Sequence, residues 1–197
     1  MKTIFYILLL LLFTGCGWLY QKKYNINKPF TFQHKNDFIG FLKQKKWSSG
    51  FQFLYLDSSS YFRFMQSANI RNGSVVLQGI FVNDSVEVKL TDAYLQKKYC
   101  AGSILYEIEM LSGIADSSLV LQKSNWKISD FSFHFLKDNR IFSLQETDKK
   151  INIILGYSYA LGNYYDSLFI DIKKIAQKSS KQIALYVICL DPVYQLK

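Results

Sequence analysis

The run from Ile183 to Leu190 is apolar throughout and stops at Asp191-Pro192. A strand with no polar alternation has no face to show to water, so it belongs in a parallel sheet covered on both sides. Ile151 to Leu155, apolar apart from Asn152, has the same character. Between the two lies a loop, Gly156 to Tyr165, and then a stretch from Asp166 to about Lys178. Leu168, Phe169, Ile172, Ile175 and Ala176 there form one helical stripe, with Asp171, Lys173, Lys174 and Lys178 off it. Strand, helix and strand predict a right-handed βαβ unit.

Upstream of this unit the period falls to two. Phe131, Phe133 and Phe135 alternate with Ser132 and His134, and Lys137-Asp138-Asn139-Arg140 turns the chain into Ile141 to Leu144. This predicts a hairpin with His134 on the face opposite the phenylalanines, as an exposed strand histidine. Nearer the start, Asn36-Asp37 is placed to cap a short helix from Phe38 to about Lys46, with Phe38, Ile39, Phe41 and Leu42 on one side. From Trp47 short β segments are expected. Phe51, Phe53 and Tyr55 alternate with Gln52 and Leu54, Asp57 to Ser60 turns the chain, and Tyr61, Phe62, Phe64 and Met65 read as the returning strand. Turns at Asn72-Gly73 and Asn83-Asp84-Ser85 frame Ser74 to Val82 and Val86 to Leu90, and Ser103 to Met110 and Ser118 to Gln122 follow. The expected fold class is α+β: an antiparallel β meander of about six strands, curled into a small sandwich or open barrel, followed by the βαβ unit.

The amino end is an address. Lys2 precedes an apolar run from Ile4 to Phe13, and Phe13-Thr14-Gly15-Cys16 follows. A basic end, an apolar core of about ten residues and small residues before a cut make a secretory signal. The run is short for a membrane span of about twenty residues. The small pair before Cys16 resembles the lipobox of bacterial lipoproteins, with Phe13 where leucine is usual. The resemblance implies a diacylglyceryl group on Cys16, cleavage before it and acylation of the new amino end. Gly17, not an aspartate, follows the cysteine, which implies export beyond the inner membrane where a cell has two. The expected organisation is a signal peptide over 1–15, a tether over 16–29, a β-rich module over 30–127 and a second segment over 128–197. Trp18, Leu19 and Tyr20 open the tether, where aromatic rings suit a membrane interface.

Composition narrows the chemistry. Hydrophobic residues make up 49% and aromatics 17%, enough for a packed core. The formal charge is +9, or +8 once Lys2 leaves with the signal, and the lysines are scattered. A nucleic-acid protein would concentrate them on one face, and an exported protein does not meet nucleic acid. His34 and His134 stand far apart without ligand-type neighbours, so neither a metal site nor a cofactor is expected. No GxSxG motif is present, and Asp57, Asp92 and Glu109 have no partner in the sequence, which leaves hydrolase readings without support. With Cys16 carrying lipid, Cys100 and Cys189 either form a structural disulfide or remain two unpaired thiols; pairing needs Cα atoms within about 7 Å.

Two further resemblances bear on function. Trp47, the Leu56-Asp57 turn, Tyr61 to Phe64, and Gly79 ahead of Val86 to Leu90 resemble the small β modules of bacterial envelope lipoproteins, which are lipocalin-like or serve as platforms. Ser129 to Phe133, the turn at Lys137 to Arg140, Phe142-Ser143-Leu144 and Ile151 to Leu155 resemble the opening of a thioredoxin-like domain of the envelope-anchored thiol–disulfide oxidoreductase type. In that family the loop after the first central strand carries a CxxC pair at a helix start. Here Leu161 stands where the attacking cysteine would be and Tyr164 where the resolving one would be, with Gly162 between. Thiol exchange needs a thiolate, which neither residue supplies. The likeness ends at Leu190, short of the family's closing hairpin and proline-bearing loop.

The expectation is therefore a membrane-anchored envelope lipoprotein, not an enzyme. It would bind a protein partner or small ligand, with Tyr157, Tyr159, Tyr164 and Tyr165 as a contact surface. The alternatives are a redox protein using Cys100 and Cys189, and a lipocalin-like carrier.

Overall fold

The computed structural model of the chain describes residues 22–23, 29–72, 78–83, 86–89, 120–123, 127–144, 151–179 and 182–197. The signal, Cys16, most of the tether, Cys100 and the strand expected over Ser103 to Met110 lie outside them. Among the described residues the chain runs α1 (Lys35–Lys43), β1 (Phe51–Leu56), α2 (Ser58–Asn72), β2 (Gln78–Asn83), β3 (Val86–Lys89), β4 (Val120–Lys123), β5 (Phe133–Phe135), β6 (Ile151–Tyr157), α3 (Asp166–Lys178) and β7 (Ile183–Cys189). The protein is mixed α/β, with helices packed on a mixed sheet.

The seven strands form one sheet in the order β4-β3-β2-β6-β7-β1-β5. β6, β7 and β1 are parallel neighbours, with Ile153 opposite Leu185 and Phe53 opposite Val187. β2 joins β6 antiparallel, β3 and β4 continue outward antiparallel, and β5 closes the other side against β1. The order is linear, so among the described residues the sheet is open, neither a sandwich nor a barrel. The meander from Trp47 onward is not continuous, because its first strand lies beside β7. The border expected between 127 and 128 runs through this sheet.

Both faces of the parallel strands are covered, as their apolar sequences require. On one face Phe51, Ile153, Leu155, Tyr157, Leu185, Val187 and Cys189 meet Phe38 and Leu42 of α1 and Leu168, Phe169 and Ile172 of α3. On the other, Leu54, Leu56, Ile154, Tyr186 and Ile188 meet Phe64 of α2 and Phe131, Phe133, Phe142 and Leu144.

Three local expectations are corrected. Ser58–Asn72 is a helix, not a turn and a strand. Tyr61, Phe64 and Met65 share a helical face by their spacing and pack on the second core, while Phe62 points outward at 64% exposure. Asp57 starts this helix, its Oδ1 accepting from the Ser60 amide at 2.7 Å and the Ser59 hydroxyl at 2.8 Å. The cap position of α1 is His34, without a side-chain cap bond, and Asp37 falls in the first turn instead of before it. The strand expected to end at Leu155 continues through Gly156 and Tyr157, because both pair with β7, opposite Ile188 and Cys189.

The hairpin after Phe131 is tight. Phe142 N–H donates to Phe133 O at 2.9 Å, Phe135 N–H to Arg140 O at 2.8 Å, and Asn139 takes a left-handed φ of 61° at the turn. His134 is half-buried, its ring tilted against Tyr55 at 5.4 Å and bonded through Nδ1 to Asn139 O at 3.1 Å.

Candidate functional site

In open α/β sheets ligands collect beyond the carboxyl ends of parallel strands. Here that end is formed by the residues after β6 and β7. β6 ends at Tyr157, a single turn covers Tyr159–Leu161, and the chain reaches α3 through Gly162 to Tyr165. Gly162 has φ 57° and ψ −121°, and Tyr164 N–H donates to Leu161 O at 3.1 Å. These are type II′ turn dihedrals, which need glycine at the first central position. Leu161 and Tyr164 bracket this turn.

Asp191, just past β7, ties the loops together. It is 6% exposed; Oδ2 accepts from the Tyr159 amide at 2.7 Å and Oδ1 from the Ser158 hydroxyl at 3.1 Å. Burial pushes its carboxyl above the ordinary aspartate value, against the lowering by those two bonds. Both oxygens are engaged. The pair fixes the loop.

The amino end of α3 is also occupied. A helix start carries partial positive charge, the feature that lowers a redoxin thiol's pKa. Here Asp166 in the first turn meets that charge. Its Oδ1 accepts from the Trp47 indole at 2.8 Å and its Oδ2 from Lys45 Nζ at 3.2 Å. Lys45 Nζ donates also to Asn163 Oδ1 at 2.6 Å and to Gly162 O at 3.4 Å. The Lys45 side chain is only 9% exposed, so the pair is held within the packed surface.

The four tyrosines do not form one surface. Tyr157 is 2% exposed, beneath the loop against Trp47 and Phe169, so it is core and not contact surface; its hydroxyl has no hydrogen-bond partner among the described residues. Burial, then the nearby Asp166 and Asp191, hold that phenol far above its usual range. Tyr159 is half-buried, its ring edge-on to Phe41 at 5.1 Å and Phe32 at 5.2 Å. Tyr165 packs on the first core, and Tyr164 stands against it at 4.5 Å, half-buried. Cys189 is free and fully buried, and burial pushes its thiol well up.

Lys45, Trp47, Asp166 and Asp191 organise this end of the molecule, and the sequence marked none of them as site residues. The one local signal was an acidic residue at the start of a helical stripe and another directly after an apolar strand. Among the described residues no group of three or more His, Cys, Asp or Glu is placed to hold a metal ion, and no helix is long and apolar enough to cross a membrane. Comparison with known proteins finds no match, neither a family model nor a curated protein nor a solved structure.

Proposed function

We propose that the chain is a lipid-anchored lipoprotein of the bacterial cell envelope that acts as a non-catalytic binding or interaction module, built on a redoxin-like strand–loop–helix without the CxxC pair. The observation that carries this reading is Asp166. Lys45 and Trp47 lock a carboxylate at the helix end where a redoxin needs a thiolate, so the positive end serves cohesion of the fold instead of a reactive sulfur. The parallel pairing of β6 and β7 through α3 supports the redoxin-like part, and the lipobox-like Phe13 to Cys16 supports the anchor. The burial of Cys189 speaks against a dithiol made with Cys100.

The test is an insulin-reduction assay with a dithiol donor, run beside native alkylation. No turnover above background, and no labelling of Cys189 before unfolding, are expected. Clear turnover, or a linked peptide holding Cys100 and Cys189, overturns the reading. Labelling cells with a radioactive fatty acid tests the anchor: wild type takes label and Cys16→Ala does not.

A further inference from the structure

We propose that a groove between the carboxyl end of α1 and the amino end of β1 binds an amphipathic carboxylate, a single-chain fatty acid. The inference rests on the reading of the chain as a non-catalytic binding module and names the class of ligand. The groove encloses about 630 Å³, within the range of about 300–1,000 Å³ typical of small-molecule sites. Its apolar lining is Leu42, Phe51, Phe53, Phe135 and Leu136.

The rim is cationic. Lys43, Lys137 and Arg140 line it against one acid, Asp138. Neither lysine side chain is ion-paired to a described residue. The Arg140 guanidinium lies 4.9 Å from the Phe135 ring centroid, held over the apolar wall. Its approach to Asp138 is 3.9 Å, between side chains 67% and 47% exposed. A pair so long and so exposed contributes little, which leaves the guanidinium able to meet a ligand carboxylate. An uncharged apolar ligand would leave these cations unused, and a cationic one would be repelled. A fatty acid satisfies both halves, with its tail on the phenylalanines and leucines and its head at Lys137 and Arg140. The groove lies at the amino end of β1, whereas the loop of Gly156 to Tyr165 lies at the carboxyl ends of the parallel strands.

The probe is cis-parinaric acid, a fluorescent polyene fatty acid, titrated into the full chain carrying Cys16→Ala so that no covalent acyl group competes. A saturable one-to-one rise in fluorescence is expected. The Lys137→Gln/Arg140→Gln double variant should bind about tenfold more weakly, and the methyl ester of the probe should bind wild type as weakly as that variant binds the acid. Gln52→Trp, an exposed position on the groove wall, should abolish binding with an unchanged melting temperature. Absence of saturable binding overturns the inference, as it would if a segment of this same chain filled the groove. Equal affinity for acid and ester overturns it too. Turnover in the insulin assay would remove the proposed function whatever the groove holds; a blank assay with no probe binding removes the groove alone.

Discussion

The Trp47 indole donates to Asp166 Oδ1 across 2.8 Å, joining positions 119 residues apart in the chain. The ring itself packs edge-on to Phe169 at 4.6 Å, one turn further along α3. The same side chain thus anchors the helix by its polar edge and fills the core with its face, and the segment before β1 sets where α3 begins.

Asp166→Ala removes the acceptor of both Trp47 and Lys45. The buried indole N–H then loses its acceptor, and the nearly buried ammonium loses its carboxylate while keeping Asn163 Oδ1 and Gly162 O, which costs about 2–3 kcal/mol. Trp47→Phe keeps most of the packing and leaves the lysine paired, so its cost should be smaller, about 1–2 kcal/mol. Urea unfolding of the two variants measures both. An Asp166→Ala protein as stable as wild type would mean that the pair is incidental.

The carboxyls of Asp57 and Asp191 are shifted in opposite directions from the ordinary aspartate value. For Asp57 burial alone would raise the carboxyl, but bonds from the Ser60 amide and the Ser59 hydroxyl bring it below 3.8. Its stabilisation is present above the unfolded value and is lost as pH falls through the folded one. Asp191 lies above 3.8 because burial outweighs its bonds. Its contribution is therefore full below the unfolded value and lost as pH rises through the folded one. Unfolding free energies between pH 3 and 7 should show Asp57→Asn removing part of the acid-side loss and Asp191→Asn removing part of the loss on the rising side. A pair of variants with pH profiles parallel to wild type would contradict both assignments.

The parts legible in the sequence were those whose partners follow from a one-dimensional pattern. The stripe of Leu168, Phe169 and Ile172 and the unbroken run into Cys189 each demand burial by themselves, and α3 and β7 are where those patterns place them. α2 was missed because Tyr61, Phe62, Phe64 and Met65 are aromatic-rich enough to suggest a strand; the spacing of 61, 64 and 65 is helical once Phe62 is set aside as surface. The place of β1 between β7 and β5 was not legible, since nothing local to Phe51 to Leu56 marks pairing with a strand more than a hundred residues away. The same reason hid Lys45 and Trp47, whose roles exist only through Asp166.

Tyr159 and Tyr164 should separate in their effects. Tyr159 is enclosed by Phe30, Phe32 and Phe41, and ring pairs of this kind contribute about 0.5–1.5 kcal/mol each beyond the area buried. Tyr159→Ser should cost about 2–3 kcal/mol and lower the melting temperature visibly. Tyr164→Ser should lower it less, since Tyr165 keeps its own packing on the core. If capture of an envelope partner weakens in Tyr164→Ser at unchanged stability, the loop is a contact surface. If Tyr159→Ser melts like wild type, the aromatic cluster is not cohesive.

Tyr157 offers the sharpest contrast, because it is a tyrosine where a phenylalanine would do better. The side chain is 2% exposed, and its hydroxyl makes no hydrogen bond to a described residue. A hydroxyl taken from water without a partner costs about 1–3 kcal/mol, judged from substitutions in proteins. Removing it leaves the ring contacts with Trp47 and Phe169 in place. Tyr157→Phe should therefore stabilise the protein by about 1 kcal/mol, seen as a higher melting temperature with an unchanged denaturant slope. Burial holds the phenol in its neutral form well above its usual range, so the gain should be the same at pH 6 and pH 9. A variant less stable than wild type would show that the hydroxyl has a partner and that this corner of the core is polar by design.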